Sequence, residues 1–338
     1  MKGSPKVAVV ILNWNGRHHL EQFLPSVTRT AYPNLEIVVG DNASSDGSVA
    51  FIQSHYPGVK IIRNHENYGF AGGYNAVLSQ VEADYFVLLN SDVEVSPDWI
   101  GPVVDLMESD SRIAAAQPKL LSYRQRTHFE YAGAGGGFLD VLGYPFCRGR
   151  IFDAVEEDRG QYDDTIEVFW ASGAALFIKS ACWKEVGGLD ADFFAHMEEI
   201  DLCWRLRRRG YRIMYCGRSA VYHLGGGTLH SESPYKTYLN FRNNLVMLQK
   251  NMGVLRAAVV IFIRLWLDLV TLLKFLAERK PANARSINKA HTNFFRNFFR
   301  TVRKRTPAIT SFNPAGTYRG SIVFQYFVRG RKTFGDLF

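Results

Sequence analysis

Short apolar runs alternate with amphipathic stretches through the first half of the chain. The runs at 7–12, 35–40, 59–62, 85–89 and 113–117 predict strands, and the unbroken run at 85–89 predicts one covered on both faces. Apolar residues at helical spacing over 17–30, 46–55, 70–82 and 97–109 predict the helices between them. Ser96 ahead of Pro97 reads as an N-cap with proline at the first helical position. Strands separated by helices make β-α-β units, hence an α/β fold with a mostly parallel sheet flanked by helices. Residues 118–165 lose this periodicity, carry the run AGAGGGF at 132–138 and read as a loop-rich insertion. Phe138 stands where a dinucleotide fingerprint needs its third glycine, so a flexible loop is the simpler reading of that run. A strand over 174–178 restores the order, followed by a helix that opens on Glu198-Glu199-Ile200-Asp201 and ends at Gly210. Short strands follow at 213–215 and 220–222, and from Tyr235 to about 305 the pattern is helical.

A chain of 338 residues suffices for one large or two ordinary domains with sizeable cores. The aromatic share of 14% is high and hints at ring-lined clefts or interfaces. Cys147, Cys182, Cys203 and Cys216 form neither a C-x-x-C pair nor a disulfide or zinc spacing, which reads as reduced core thiols of a cytosolic chain. The N-terminal apolar run is only six residues long, too short for a signal-peptide core, and reads as a first buried strand. Net charge changes the picture more by its place than by its size of +8. Residues 279–305 hold nine Lys/Arg and no Asp/Glu, so the rest of the chain sums to −1. The basicity belongs to one C-terminal segment and points there to a polyanionic surface.

Ligands of open α/β sheets bind beyond the carboxyl ends of the strands. Polar clusters stand at three such ends: Asn13-Trp14-Asn15-Gly16, Asp41-Asn42-Ala43-Ser44 and Asn90-Ser91-Asp92. A single cluster would be ordinary turn chemistry, whereas three describe one crevice. Asn90 and Asp92, two residues apart, can reach one point beyond the strand end and suit a hard cation such as Mg²⁺ or Mn²⁺, or else simply cap a turn. Asp41 suits a nucleobase imide or ribose hydroxyl, or a helix N-cap. The glycine-rich ENYGFAGGYN at 66–75 opens a helix whose backbone amides could face an anion. Glu198, Glu199 and Asp201 complement a helix dipole, or crowd one another toward the pKa of a general base. His223, ahead of Gly225-Gly226-Gly227-Thr228, is either a core histidine or a metal or phosphate ligand.

Together VAVVILNWNG, VVGDNASSDGS, NYGFAGGYN, LLNSDVEV, ASGAALFIKS, GGLDADFFAHMEEIDLCWRLRRRGYRI and VYHLGGGT resemble, in order, the family 2 glycosyltransferases of GT-A fold, in particular the rhamnosyltransferase-like branch. The resemblance covers about 5–230 and implies a GT-A, Rossmann-like domain over 1–230 with a C-terminal helical extension over 231–338. It implies that Asn90-Ser91-Asp92 occupies the place of the metal-binding D-x-D motif, with His223 helping to hold metal or diphosphate. It implies donor contacts from Asn13, Asp41, Asn67, Gly69, Gly72, Asn75 and Ser91. Glu199 matches the second acid of the family's E-D pair, the general base, while Trp170, Gly173, Glu198 and Asp201 fall in the sugar and acceptor vicinity. Two departures stand out: Asn90 removes one charge from D-x-D, and Glu199 carries its carboxylate one methylene further out than Asp. The implied activity is inverting, metal-assisted transfer from a nucleotide-diphosphate sugar to a glycan or lipid-linked acceptor. A GT-A module that binds such a glycan or a partner protein without catalysis is the alternative, against which stands the retention of all the acids.

Residues 254–276 are apolar apart from Arg256, Arg264, Asp268 and Lys274, and the longest uncharged run, 257–263, falls short of the roughly 20 residues of a membrane span. The four charges share one sector of about 120° on a helix, at ~3.6 residues per turn, leaving the rest Val, Ile, Leu, Phe and Trp. Helices lying in the cytoplasmic leaflet, cations toward anionic headgroups, are expected, which makes the protein peripheral on the inner face of the cell membrane. The rival expectation packs these helices on the catalytic domain or on a second subunit, giving a homo-oligomer. No nucleic-acid recognition motif accompanies the basic tail, and no nucleic-acid partner is expected.

Overall fold

The computed structural model describes residues 3–130, 133–225, 233–306 and 313–338. Strands β1 (Val7–Asn13), β2 (Leu35–Asp41), β3 (Lys60–Arg63) and β4 (Tyr85–Leu89) alternate with helices α1 (Arg17–Thr28), α2 (Ser48–His55) and α3 (Gly69–Leu78). Next come β5 (Val93–Val95), α4 (Gly101–Ser109), β6 (Ile113–Ser122) and the small strands β7 (Gly137–Leu139), β8 (Pro145–Cys147), β9 (Arg150–Ile151) and β10 (Ala154–Val155). After β11 (Thr165–Val168), β12 (Ala175–Lys179), α5 (Ser180–Val186), α6 (Glu198–Arg207) and β13 (Arg212–His223), the chain is helical: α7 (Pro234–Asn251), α8 (Val254–Ala277), α9 (Pro281–Arg296), α10 (Phe298–Arg303) and α11 (Ile322–Phe327).

Nine strands form the central sheet in the order β11-β13-β6-β12-β4-β1-β2-β3, with β5 paired to β13. One half of it, β4-β1-β2-β3, is wholly parallel, as the β-α-β pattern predicts. β12 enters antiparallel between β4 and β6, because it arrives after the insertion and from the opposite end of the sheet. Every residue of β4 is buried, and so are the first five of β1, which explains their unbroken apolar runs.

Residues 118–165 depart from the expected loop. They extend β6 and build a second, four-stranded sheet, β10-β9-β8-β7. Its strands are two or three residues long, too short to carry a readable period. The glycines of 133–138 serve close packing: a Cβ on Gly137 would lie 2.2 Å from the Trp170 indole. Ala132 of that run, and Gly226, Gly227 and Thr228 of the later glycine loop, lie outside the described residues. α4 starts at Gly101 with Ile100 at its cap, later than the Ser96-Pro97 reading. The Pro97 carbonyl instead accepts the Ala31 amide at 2.6 Å, holding 97–100 against the end of α1. The two short strands read at 213–215 and 220–222 are one strand, β13, with an irregularity between Cys216 and Ala220.

The C-terminal helices pack on this body. Asp201 of α6, fully buried, accepts from Arg205 Nε at 2.8 Å, Lys250 Nζ at 2.9 Å and Asn251 Nδ2 at 2.7 Å. Lys250 also reaches Asp190 at 2.7 Å, and Lys304 reaches the same carboxylate at 2.6 Å. Further along, the Leu139 amide donates to Gly316 O at 3.0 Å and the Tyr318 amide to Leu139 O at 2.9 Å, so the tail lies along β7. Part of the basic stretch thus faces protein: Arg300 and Lys304 bind Asp192, and Arg305 donates to the carbonyls of Gln249 and Met252.

Candidate active site

Parallel pairing sets the ends of β1 and β2 side by side, Asn13 opposite Asp41. Asn13 Nδ2 donates to Ser44 Oγ at 3.0 Å and to Asp41 Oδ1 at 3.4 Å, while the Ser44 amide donates to Asp41 Oδ2 at 3.1 Å. Asn13 Oδ1 has no hydrogen-bond partner among the described residues, although it is buried. Gly16 makes room for it: a Cβ there would stand 2.7 Å from Asn13 Oδ1 and 3.7 Å from Ser91 Oγ. The first and third polar clusters therefore do meet in one crevice.

β4 stops where the Asn90 amide donates to Ala174 O at 3.0 Å. Beyond it β5 pairs with β13, which puts His223 opposite Val93 and next to Asp92. His223 Nε2 lies 3.1 Å from Asp92 Oδ1 and 3.3 Å from Asn90 Nδ2. On the other side of the ring, Nδ1 is 3.3 Å from Glu130 Oε2. Burial disfavours charge on His223, but the carboxylates of Glu130 and Asp92 outweigh it and push its pKa up to about 10. Burial likewise works to raise the Asp92 carboxyl, yet the His223 charge and hydrogen bond hold it below its ordinary value. Glu130 carries no motif of its own and its pairing spans 93 positions of sequence, so nothing in the sequence marked it.

The glycine-rich segment is used otherwise than as an anion cradle. Both the Phe70 and Ala71 amides, at the start of α3, donate to Phe194 O, at 2.7 and 3.1 Å. Gly69 has φ +69°, and a Cβ there would strike the Phe194 ring at 2.5 Å. Asn67 Oδ1 accepts from the Gly69 amide at 2.9 Å and from Asn42 Nδ2 at 2.8 Å. Asn75 exchanges both amide groups with the backbone of Leu189, at 2.7 and 3.0 Å, which ties α3 to the segment before α6. Gly72 lies in α3 with Tyr68 beside it, 3.0 Å from where a Cβ would stand.

Glu198 and Glu199 open α6 after a segment with φ +65° at Phe194, +69° at His196 and +73° at Met197. Such conformations cost energy in residues other than glycine and persist only where surroundings impose them. Asn243 of α7 imposes this one: its Nδ2 donates to the carbonyls of Phe193, Ala195 and His196 at 3.0, 2.8 and 2.7 Å. Burial pushes the Glu199 carboxyl up to about 7, against backbone hydrogen bonds that lower it. Burial, with the charge of Glu199 added, raises Glu198 as well. Neither Oε2 has a hydrogen-bond partner among the described residues. Gly173 lies against this pair, a Cβ there falling 3.9 Å from Glu199 Cβ and 3.3 Å from the Phe70 ring. Asp201, by contrast, belongs to the ion network with Arg205 and Lys250, where those cations hold its carboxyl low despite complete burial. Trp170 is buried too, its Nε1 donating to Phe138 O at 3.0 Å.

Among the described residues no group of three His, Cys, Asp or Glu is arranged to enclose a metal. What is present is the ionised Asp92 carboxylate, with His223 Nε2 3.1 Å from its Oδ1 and Asn90 Nδ2 3.3 Å from that ring nitrogen. This open set fits a hard cation sharing its shell with phosphate oxygens once the cation displaces the imidazole proton and the Asn90 amide turns its oxygen inward.

A mixed sheet with its polar clusters at the strand ends, and an acid-headed helix across from them, is the GT-A glycosyltransferase fold. Residues 8–155 match the family model described as Glycosyl transferase family 2. The chain is 26% identical over 233 residues to the N-acetylglucosaminyl-diphospho-decaprenol L-rhamnosyltransferase of Mycobacterium tuberculosis, covering 64% of this chain and 75% of that one. It is 24% identical over 216 residues to Rhamnosyltransferase WbbL of Escherichia coli, covering 62% and 80%. These relatives set it in the rhamnosyltransferase-like branch. In fold it is similar to the mannosyltransferase PcManGT from Pyrobaculum calidifontis in complex with GDP-Man and Mn²⁺, with a TM-score of 0.55, 15% identity and coverage of 87% and 88%. The protein is an enzyme, a glycosyltransferase.

Proposed function

We propose that this enzyme moves a hexosyl or rhamnosyl unit from a nucleoside-diphosphate sugar to a hydroxyl of a glycan or lipid-linked glycan, inverting the anomeric centre, in cell-envelope polysaccharide synthesis. One observation carries the reading. Residues 173 and 174 join the two halves of the site: Ala174 O holds the Asn90 amide at 3.0 Å, while Gly173 lies against Glu199. The diphosphate end and the base end of a displacement therefore face each other across two residues.

In this reading Asn13, Asp41 and Ser44 form the floor of the nucleotide pocket, and Ser91 borders it. Asn67 and Asn75 hold the donor-side wall through Gly69 and Leu189, with Gly72 in the same helix turn. Asp92, Asn90 and His223 would hold Mg²⁺ or Mn²⁺, and such an ion neutralises charge on a departing nucleoside diphosphate. Glu130 keeps the His223 ring oriented. Glu199, once ionised, accepts the proton of the acceptor hydroxyl at its unpartnered Oε2. The hydroxyl oxygen bonds to the anomeric carbon as the bond to the diphosphate breaks on the opposite face, so one displacement inverts it. The missing side chain at Gly173, which lies between the Phe70 ring and Glu199, keeps room beside Glu199 for the acceptor. The bound GDP-Man and Mn²⁺ of PcManGT and the diphospho-decaprenol in the name of the mycobacterial relative support the donor, ion and acceptor classes. The test is a screen of dTDP-, UDP- and GDP-sugars for nucleoside diphosphate release with Mg²⁺ or Mn²⁺, with the anomeric configuration of the product read by NMR. A retained configuration, or release undiminished by EDTA, would falsify the mechanism.

A further inference from the structure

α8 is built inside out. Toward α7, α9 and the small sheet it turns Arg264 and Asp268, both buried. Arg264 donates to Asn244 Oδ1 at 2.6 Å and to Leu142 O at 3.3 Å, with its guanidinium 3.5 Å over the Tyr144 ring. Asp268 pairs with His291 at 2.9 Å. Outward it turns Leu255, Val259, Phe262, Trp266, Val270 and Leu273, each more than half exposed. On a helix of ~3.6 residues per turn these six fall in one sector about 80° wide, with Arg256 and Lys274 together at its edge. An apolar surface of this extent on a soluble monomer marks an interaction site.

We propose that this outward face of α8 lies in the interfacial layer of an anionic lipid bilayer, its aromatic and aliphatic side chains among the acyl chains and the bordering cations among headgroup phosphates. Charge selects the occupant. Residues 254–306 hold twelve Lys/Arg against Asp268 and Glu278. Asp268 is buried, and Glu278 is already paired with Lys274 and Lys280. Arg256, Arg279, Arg285, Lys289, Arg296 and Arg303 are exposed. A second copy docking by two-fold symmetry would set this cationic collar against itself, whereas anionic headgroups complement it. Arg319 stands with Arg256 in the wall of a cavity of about 400 Å³, adding a cation at that edge. Spanning is ruled out for the described helices, none of which is long and apolar enough to cross a membrane. The docking stands whether or not the acceptor is lipid-linked, and its test reads membrane binding alone.

Flotation of the full chain with vesicles of phosphatidylcholine, with and without phosphatidylglycerol, decides it. Binding is expected only with phosphatidylglycerol and weakens in high salt. Trp266→Glu with Leu273→Glu should cut it at least about 10-fold, since both introduce charge into the acyl region. Arg256→Gln with Lys274→Gln should weaken it about 30-fold while leaving circular dichroism unchanged. Should the double Glu variant fail to fold, a blue shift of tryptophan emission on vesicles that Trp266→Phe abolishes supplies the same test. Equal flotation with neutral vesicles overturns the proposal. So does undiminished binding by the folded Glu variant, or a wild-type dimer that this variant splits while no vesicle binds.

Discussion

Glu199 sits where its charge is expensive, and that makes its role measurable in two ways. Glu199→Gln keeps the shape of the side chain and removes the proton acceptor, which should lower kcat by about 10²–10⁴-fold with donor binding retained. For the wild type, kcat/KM should rise through pH 7, where the carboxyl ionises, and level above it. The stability sign runs the other way. A carboxyl whose pKa is raised by folding binds its proton more tightly in the native state, so its contribution is full below the unfolded pKa and is lost as pH rises through about 7. Glu199→Gln should therefore melt above the wild type at pH 8 and lose that advantage near pH 4. If Glu198→Gln abolishes turnover instead while Glu199→Gln retains it, the base has been misassigned. At Asp92, whose carboxylate is ionised beside His223, Asp92→Asn should lower turnover by at least about 10²-fold, a loss that added Mn²⁺ does not restore. Its circular dichroism should match wild type.

At the scale of elements, the start of α6 is held by α7. Three carbonyls converge on Asn243 Nδ2 from a segment with three left-handed residues, so the conformation that presents Glu198 and Glu199 is imposed from the C-terminal extension. Asn243→Ala takes this donor from the Ala195 and His196 carbonyls, at about 1–3 kcal/mol, while Phe193 O keeps Arg242 Nη2 and the Ala195 amide. Its kcat should fall at least about 10-fold, as expected of a ~1 Å displacement of a catalytic group. The donor KM should stay close to wild type, because the nucleotide side is built on β1, β2 and β4. A purely structural role for Asn243 would lower the melting temperature and leave kcat intact.

Over the whole molecule, the two regions are joined by charge. Asp201, with no exposure at all, takes hydrogen bonds from Arg205, Lys250 and Asn251. Asp201→Ala would leave the buried Arg205 without its carboxylate and Lys250 with Asp190 alone, a loss of about 3–5 kcal/mol, and thermal denaturation should show it. Asp201→Asn keeps part of the hydrogen bonding and should cost less. An unchanged melting temperature for Asp201→Ala would remove this network from the account of how the helices are held.

The local pattern determined a good part of this protein. β1 to β4 lie within two residues of their apolar runs. For β1 and β4 the reason is that a strand covered on both faces must be apolar throughout, whereas the edge strand β3 is partly exposed. The polar clusters at 13–16, 41–44 and 90–92 stand at strand ends for the same reason: the apolar run stops where the sheet does. Seven motifs in order carried the family. What the local pattern did not hold was everything set by pairing between distant segments. His223 meets Asp92 and Glu130 only because β13 runs beside β5 and β6, and no period in the sequence encodes that register. Asn243 is one more polar residue on a helix until α7 is laid against residues 193–196. The charged stripe of α8 was legible, yet its direction was not: Arg264 and Asp268 face inward because Asn244, Tyr144 and His291 supply buried partners for them. Periodicity tells which residues share a face, whereas the neighbour that face meets is decided only when the chain is folded.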